Sequence, residues 1–142
     1  MPLWHIYHPA DTYSDQDKQD FARDITALYT KFGLPDFYVV VLFREIDESS
    51  IYVAGRPARD TVRIVVEHLA RHLDDPDMRR RSTQALNAIM EPYTGGRGLH
   101  WEFHTYESPR DLWMIAGQFP PDAGSEAEQA WARAGKPLPL SP

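Results

Sequence analysis

The sequence contains no cysteine among its 142 residues. This absence excludes disulfide bonds, thiolate nucleophiles and zinc sites with sulfur ligands. The chain also lacks any apolar run close to the roughly 20 residues needed to cross a bilayer. Its N-terminal end has no basic segment followed by an apolar one, the pattern typical of a secretory signal. We therefore expect a cytoplasmic protein that does not associate with membranes.

Basic residues are too few for a nucleic-acid-binding surface. The chain has 15 Lys and Arg against 21 Asp and Glu, which gives a formal net charge of -6 at pH 7. Nonspecific binding to nucleic acid requires a basic face, so we expect no nucleic-acid partner. A local basic pocket for a small anion remains compatible with this balance. A chain of this length forms one modest core, and an oligomer would help to cover its apolar surface.

Hydrophobic periodicity divides the chain into two similar units, at residues 2–46 and 61–106. In each, an extended segment precedes a helix with apolar positions at helical spacing, and a second extended segment follows. Two β-α-β units with right-handed crossovers predict an α+β (α/β two-layer) fold, a four-stranded sheet with two helices on one face. The other face would be left apolar and is expected to be buried against partner subunits. We assign residues 1–121 to this domain and residues 122–142 to a C-terminal arm.

Two fused β-α-β units that begin Met-Pro resemble the plan of the tautomerase superfamily. The segments that carry the resemblance are PLWHIYHP, DITALYTKFGLPDFYVVVLF, IVVEHLAR and HWEFHTYESPRDLW. They are most similar to the cis-3-chloroacrylic acid dehalogenase branch, and within it to tautomerase-like proteins with an N-terminal proline. The resemblance runs from Pro2 to about Pro121. It implies a homotrimer with active sites near the subunit interfaces, a small carboxylate-bearing substrate and no cofactor.

Pro2 is the first catalytic candidate, because removal of Met1 would expose it as an N-terminal secondary amine. A free α-amine titrates at about pH 8. An apolar pocket or a nearby arginine would lower that pKa toward neutrality, where a base is most useful. Trp4 and Ile6 share the strand face of Pro2 and could form an apolar wall. The alternative interpretation is that Pro2 only governs the removal of Met1, and a retained Met1 would block the chemistry.

Arg71 falls where the dehalogenase has a carboxylate-binding arginine. It ends the third predicted strand, the usual location of ligand groups in open α/β sheets, and a guanidinium can hold a carboxylate with two hydrogen bonds. The alternative is a surface arginine paired with Asp74 or Asp75. Arg63, on the same strand face, is a second candidate for substrate binding, with an ion pair to Glu67 or to another subunit as its alternative.

Four further residues are candidates for the site. By the resemblance, Tyr29 stands where the dehalogenase has a histidine, and His104 stands where it has a tyrosine. Core packing is the alternative for Tyr29, and a polar interface is the alternative for His104. His68 and Trp113 are candidates for lining the substrate pocket, with a buried hydrogen-bonded histidine and ordinary packing as their alternatives.

Two other groups of residues are interpreted without a functional role. His100, Glu102 and His104 alternate along one strand face, but no recognised metal-ligand spacing occurs elsewhere, so we expect no metal. The run of three arginines at residues 79–81 is interpreted as a solvent-exposed helix face.

The departures from the dehalogenase indicate the reaction. Its second arginine corresponds to Asp74 here, and its water-activating glutamate corresponds to Ile115. Hydrolysis and hydration need an activated water, whereas tautomerisation needs only proton transfer, so we expect a tautomerase. Three alternatives stay open: a non-catalytic trimer that binds a small anion or a protein partner, a weak dehalogenase or hydratase-like lyase, and a biosynthetic enzyme that uses the same proline for decarboxylation or isomerisation.

Overall fold

The computed structural model describes residues 1–69 and 72–140. Its helices and strands follow the chain in this order: β1 Pro2–Pro9, α1 Asp15–Thr30, β2 Val40–Ile46, β3 Tyr52–Val53, β4 Arg56–Pro57, β5 Thr61–Leu69, α2 Pro76–Met90, β6 His100–Ser108 and α3 Glu126–Ala134.

The main sheet has the strand order β2-β1-β5-β6. β1 runs parallel to β2 and β5 runs parallel to β6, so each helix connects two parallel strands. The two units join where β1 and β5 pair in antiparallel fashion, with Pro2 opposite His68 and Trp4 opposite Val66. The prediction of two β-α-β units in a four-stranded sheet is confirmed.

The core lies between the two long helices and one face of the sheet. Alternate residues of β1 and β5, among them Ile6 and Ile64, are fully buried there against Phe21 of α1 and Met90 of α2. This alternation follows from the two-residue period of a strand, which sends successive side chains to opposite faces. It also places Pro2 on the helix-covered face, because Pro2 shares the parity of Trp4 and Ile6.

The opposite face of the sheet differs from the apolar surface predicted for it. His5 of β1 contacts Glu67 of β5 at 3.4 Å, and Arg63 of β5 lies 3.3 Å from Glu102 of β6. Since Arg63 and Glu67 alternate on this face with apolar residues such as Val65, the uncovered face is a mixture of apolar residues and ion pairs.

Residues assigned to the C-terminal arm fold back onto the domain. Ser125 caps α3, and Trp131 on that helix is buried against Tyr38 and Trp113 in a second, smaller apolar cluster. Met1 and Leu69 pack against the same cluster. The arm therefore covers the end of the sheet at which β1 begins. Within the described part of the chain, no helix combines the length and apolar character needed to span a membrane.

Candidate functional site

A cavity of about 550 Å³ opens where the start of β1 meets the end of β5. The end of α1 and one face of α2 complete its walls. Its lining is mainly apolar: Met1, Pro2, Leu28, Tyr29, Phe32, Leu34, His68, Leu69, Leu73, Met78, Arg81, Ser82, Ala85, Leu86 and Glu107. Predominantly apolar cavities of this size with a few polar groups are typical of small-molecule sites.

Pro2 is buried and lines this cavity, and its nitrogen is part of the peptide bond to Met1. The Met1 ammonium donates to the Leu69 carbonyl at 2.6 Å, and the Leu69 N–H donates to the Met1 carbonyl at 2.8 Å. Met1 thus extends the pairing of β1 with β5 by one residue. The Pro2 nitrogen becomes a basic amine only in a chain from which Met1 has been removed.

Tyr29 and His68 lie beside Pro2 in the cavity wall. The Tyr29 hydroxyl is 2.7 Å from Nε2 of His68, and the indole N–H of Trp4 donates to the same hydroxyl at 3.0 Å. Burial raises the pKa of Tyr29 well above its usual value, and the hydrogen bond from Trp4 acts weakly in the other direction. Tyr29 is therefore a neutral phenol at physiological pH.

Arg63 and His104 occupy the face of the sheet opposite Pro2. Nη2 of Arg63 is 2.7 Å from Nδ1 of His104, and the ion pair of Arg63 is with Glu102 rather than with Glu67. Within one chain, Arg63 and His104 therefore contact each other and lie on the side of the sheet away from Pro2. Neither residue lines the cavity that contains Pro2.

A second cavity, of about 460 Å³, adjoins the first at the edge strand β6. The two share a wall that contains His68, Ser82 and Glu107, and His104 lines only the second. His68 thus stands between the cavity of Pro2 and the cavity of His104.

Two other predicted site residues stand apart from this arrangement. Trp113 is buried, with its ring edge-to-face on Tyr38 at 5.1 Å, and it lines neither cavity. Arg71, the predicted carboxylate anchor, lies outside the described residues.

Two charged residues in the cavity wall received no site role in the sequence analysis. Arg81 belongs to the run that was interpreted as solvent-exposed, yet it lines the cavity next to Met78 and Ala85. Its spacing of three residues from Met78 and four from Ala85 on one helix face would have indicated this position. Glu107 is the second: it accepts from the Leu73 N–H at 2.7 Å and its other oxygen is 3.2 Å from Arg79.

These contacts leave few free polar groups in the cavity. Among the residues that line it in the described structure, Glu107 is the only carboxylate, and both of its oxygens are engaged. Arg81 has no carboxylate within salt-bridge distance among residues 1–69 and 72–140. No group of three or more His, Asp and Glu in those ranges could hold a metal ion.

Comparison with known proteins identifies close structural relatives. Residues 1–136 match the family Tautomerase_3, "Putative oxalocrotonate tautomerase enzyme". RhCC from Rhodococcus jostii is 34% identical, with a TM-score of 0.94 over 97% of this chain and 99% of that chain. A protein from Aspergillus fumigatus, called a probable enzyme, is 36% identical, with a TM-score of 0.93 over 99% and 98% of the two chains. Comparison with curated protein sequences gives no significant match.

More distant structures share the fold alone. N1, a member of the cis-3-chloroacrylic acid dehalogenase family, is 19% identical, with a TM-score of 0.73 over 94% of this chain and 97% of that chain. A fused 4-OT described as a symmetric trimer is 16% identical, with a TM-score of 0.65 over 82% and 93% of the two chains. The resemblance stated from the sequence is confirmed by these likenesses and by the family match.

Proposed function

The chain belongs to the tautomerase family whose pattern it matches over residues 1–136, and from that premise we propose that it is a tautomerase whose reactive group is the free amine of Pro2 after removal of Met1. The substrate proposed is a carboxylate-bearing molecule that interconverts between keto and enol forms. One observation carries the proposal: Pro2 is buried in the wall of an apolar cavity of about 550 Å³ that Tyr29 and His68 also line.

The surroundings of Pro2 suit proton transfer. An apolar wall disfavours the ammonium form of an amine, so it lowers the pKa from the value of about 8 that a free α-amine has in water. Trp4 and Ile6, the neighbours of Pro2 on the same strand face, are fully buried. A Pro2 amine in this place would be available both as the neutral base and as the ammonium acid near neutral pH.

The proposed reaction moves one proton from the enol oxygen to the enol carbon by way of the Pro2 amine, with no net gain or loss of atoms. In the ketone-forming direction, the Pro2 ammonium gives its proton to the enol carbon, whose new C–H bond uses the π pair of the C=C bond. The enol hydroxyl loses its proton, and its O–H pair becomes the second bond of the carbonyl. The hydroxyl proton returns the amine to the ammonium form, so no oxidant, water or cofactor is consumed.

Two arginines are proposed to orient the substrate carboxylate. Arg71 is two residues beyond Leu69 in the sequence, and the Leu69 backbone pairs with Met1 in the wall of the site. Arg81 lines the cavity itself. A guanidinium binds a carboxylate through charge-assisted hydrogen bonds, which orient the rest of the molecule toward Pro2.

The hydrogen bonds of Glu107, the carboxylate in the described lining of the cavity, favour tautomerisation over hydration. Glu107 is tied to the Leu73 N–H and to Arg79, so it is poorly placed to activate a water molecule. Ile115, at the position of the water-activating glutamate of the dehalogenase, is apolar and packs against the cluster that contains Trp131.

Covalent labelling and turnover test the proposal together. We expect intact mass to show loss of Met1, 3-bromopropiolate to form an adduct on the Pro2 peptide, and native protein to convert phenylenolpyruvate to phenylpyruvate. Pro2→Ala should lose the adduct and reduce kcat/KM at least 100-fold, as expected for loss of a general acid–base group. Leu3→Ala, the next residue and on the other face of the sheet, is the matched control and should keep both.

The proposal fails if native protein is inert or if Pro2→Ala retains full turnover. The second candidate function is a non-catalytic binding protein, and it is favoured by the two backbone hydrogen bonds and the apolar packing that hold Met1 in place. Retention of Met1 in purified native protein would support that second function.

A further inference from the structure

The Tyr29 hydroxyl joins the fully buried indole of Trp4 to the imidazole of His68. An indole N–H can only donate, so the Tyr29 oxygen accepts from Trp4. The phenol proton is then left for the second contact, at 2.7 Å, in which Nε2 of His68 accepts. We assign the proton in this way because the alternative, in which the Tyr29 oxygen accepts from both neighbours, leaves the hydroxyl proton without either of them as acceptor.

We propose that Tyr29 is a positioning residue that keeps His68 an uncharged imidazole with an unprotonated Nε2, next to the amine of Pro2. The proposal rests on the function proposed for Pro2, and it assigns Tyr29 a role through His68 instead of direct contact with the substrate.

The alternative charge state of His68 conflicts with the hydrogen bonds of Tyr29. In an imidazolium both ring nitrogens donate, so Nε2 would donate to the Tyr29 oxygen, which already accepts from Trp4. The hydroxyl proton would then need another acceptor, and of the described residues only Trp4 and His68 lie within hydrogen-bonding distance of it. Because Tyr29 is buried, an unsatisfied hydroxyl there is costly, and the neutral imidazole is favoured.

The charge on His68 matters because of its register with Pro2. The two residues are directly opposite each other where β1 pairs with β5, and both line the cavity. Side chains directly opposite in an antiparallel pair have Cβ atoms about 5 Å apart. A positive charge on the His68 ring, in the wall of the same cavity, would disfavour the Pro2 ammonium and leave too little of the acid form near neutral pH.

Charged groups on β6 and α2 also bear on the charge state of His68. Glu107 is opposite His68 on β6, and its charge is balanced by Arg79. Arg81 of α2 lines the same cavity and adds positive potential. A neutral His68 therefore avoids placing a second positive charge, after Arg81, beside the Pro2 amine.

Nitrogen NMR of His68 together with the pH dependence of labelling at Pro2 tests this inference. In native protein at pH 7 we expect ¹⁵N shifts of a neutral imidazole whose proton is on Nδ1. In Tyr29→Phe, which removes only the hydroxyl, we expect His68 to become cationic at a pH about one unit higher than in native protein. The midpoint of the pH profile for 3-bromopropiolate labelling of Pro2 should fall by about one unit in the same variant.

Tyr13→Phe is the matched control. Tyr13 is equally buried, and its hydroxyl donates to the Tyr93 carbonyl at 2.8 Å, away from the cavity. The Tyr13→Phe variant should leave the ¹⁵N shifts of His68 and the labelling midpoint of Pro2 unchanged. An effect seen only in Tyr29→Phe is then due to loss of the Tyr29–His68 hydrogen bond and not to loss of a buried tyrosine hydroxyl in general.

The two proposals fail in different ways. A cationic His68 at pH 7 in native protein, a proton on its Nε2, or identical His68 signals in native protein and Tyr29→Phe would overturn the positioning role, even with Pro2 fully reactive. Absence of any Pro2 adduct in native protein would overturn the proposed function, and the His68 signals would still report whether Tyr29 sets its charge.

Discussion

At the scale of single residues, Arg81 shows how one side chain can combine solvent exposure with a place in a binding site. Its backbone lies on the exposed side of α2, while the side chain contributes to the cavity wall among apolar neighbours. Long basic side chains commonly lie along apolar surface with the charged end in water. A carboxylate in the cavity would have this guanidinium and Pro2 in the same lining.

We expect Arg81→Gln to raise KM for phenylenolpyruvate about ten-fold with kcat nearly unchanged. Loss of a partly hydrated charge-assisted hydrogen bond accounts for a change of that size, because it weakens binding of the substrate and of the transition state alike. Steady-state kinetics measures it. Arg80→Gln is the matched control, since Arg80 is the preceding residue on the same helix and does not line the cavity. Equal KM values in Arg81→Gln and Arg80→Gln would exclude Arg81 from substrate binding.

At the scale of elements, the beginning of α1 is anchored to the loop before β6. Asp17 and Ser14 form a reciprocal capping box at the start of the helix. The same carboxylate accepts two hydrogen bonds from the Arg97 guanidinium, at 3.0 and 3.1 Å, which also lies over the ring of Tyr13. One ion pair thus fixes α1, which carries Tyr29, relative to the second unit.

This ion pair predicts a pH-dependent contribution to stability. The hydrogen bonds from Arg97, and then those from Ser14, hold the pKa of Asp17 well below its usual range. The folded protein therefore takes up the Asp17 proton less readily than the unfolded chain. The resulting stabilisation is fully present above about pH 5 and is lost as the pH falls through the ordinary aspartate range and below it.

We expect Asp17→Asn to lower Tm by about 3 °C at pH 7 and by clearly less near pH 2.5, within the pH range over which the stabilisation is lost, measured by thermal unfolding. The difference at pH 7 should also shrink in 1 M salt, because the pair is partly exposed to solvent. Asp15→Asn, in the same first turn but without an ion pair in the described structure, is the control. A Tm difference between native protein and Asp17→Asn that is constant from pH 7 to pH 2.5 would contradict the assignment.

At the scale of the whole molecule, several large apolar side chains remain uncovered in a single chain. Leu112, Met114 and Phe119, after β6, are 75%, 54% and 59% exposed, and Tyr106 on the edge strand is 58% exposed. Apolar surface of this kind marks protein contacts more often than free surface. The mixed face of the sheet carries ion pairs that would also suit a partner subunit.

We expect the protein to be a homotrimer in solution, with three times the 16.3 kDa mass of one chain. Sedimentation equilibrium at micromolar concentration measures this mass directly. Leu112→Asp should shift the distribution toward smaller species, because it places a charge where apolar contact is expected. Lys136→Asp, which changes the charge by two units at an exposed position in the turn after α3, should not. A native mass of one or two chains would contradict the trimer.

Sequence alone determined the architecture, because it depends on local periodicity. Short segments of the sequence show the strand and helix periods, the turns and the repeat of the β-α-β unit. The sheet with its two helices then follows from the handedness of the crossovers and from burial of the apolar positions. The placement of Pro2 beside Trp4 and Ile6 also follows from the two-residue period of β1. The domain boundary at residue 121 stays a prediction, although the family match extends to residue 136.

Only the tertiary structure decided which side chains of different segments meet. The antiparallel register between β1 and β5 sets His68 opposite Pro2 and leaves Arg63 with His104 on the other face. That register pairs Pro2 with a residue more than 60 positions away in the sequence, so no local pattern encodes it. Packing of α3 likewise placed Trp113 in the cluster of Trp131 instead of the cavity. The sequence thus singled out Pro2 as the catalytic candidate, and long-range packing selected its neighbours.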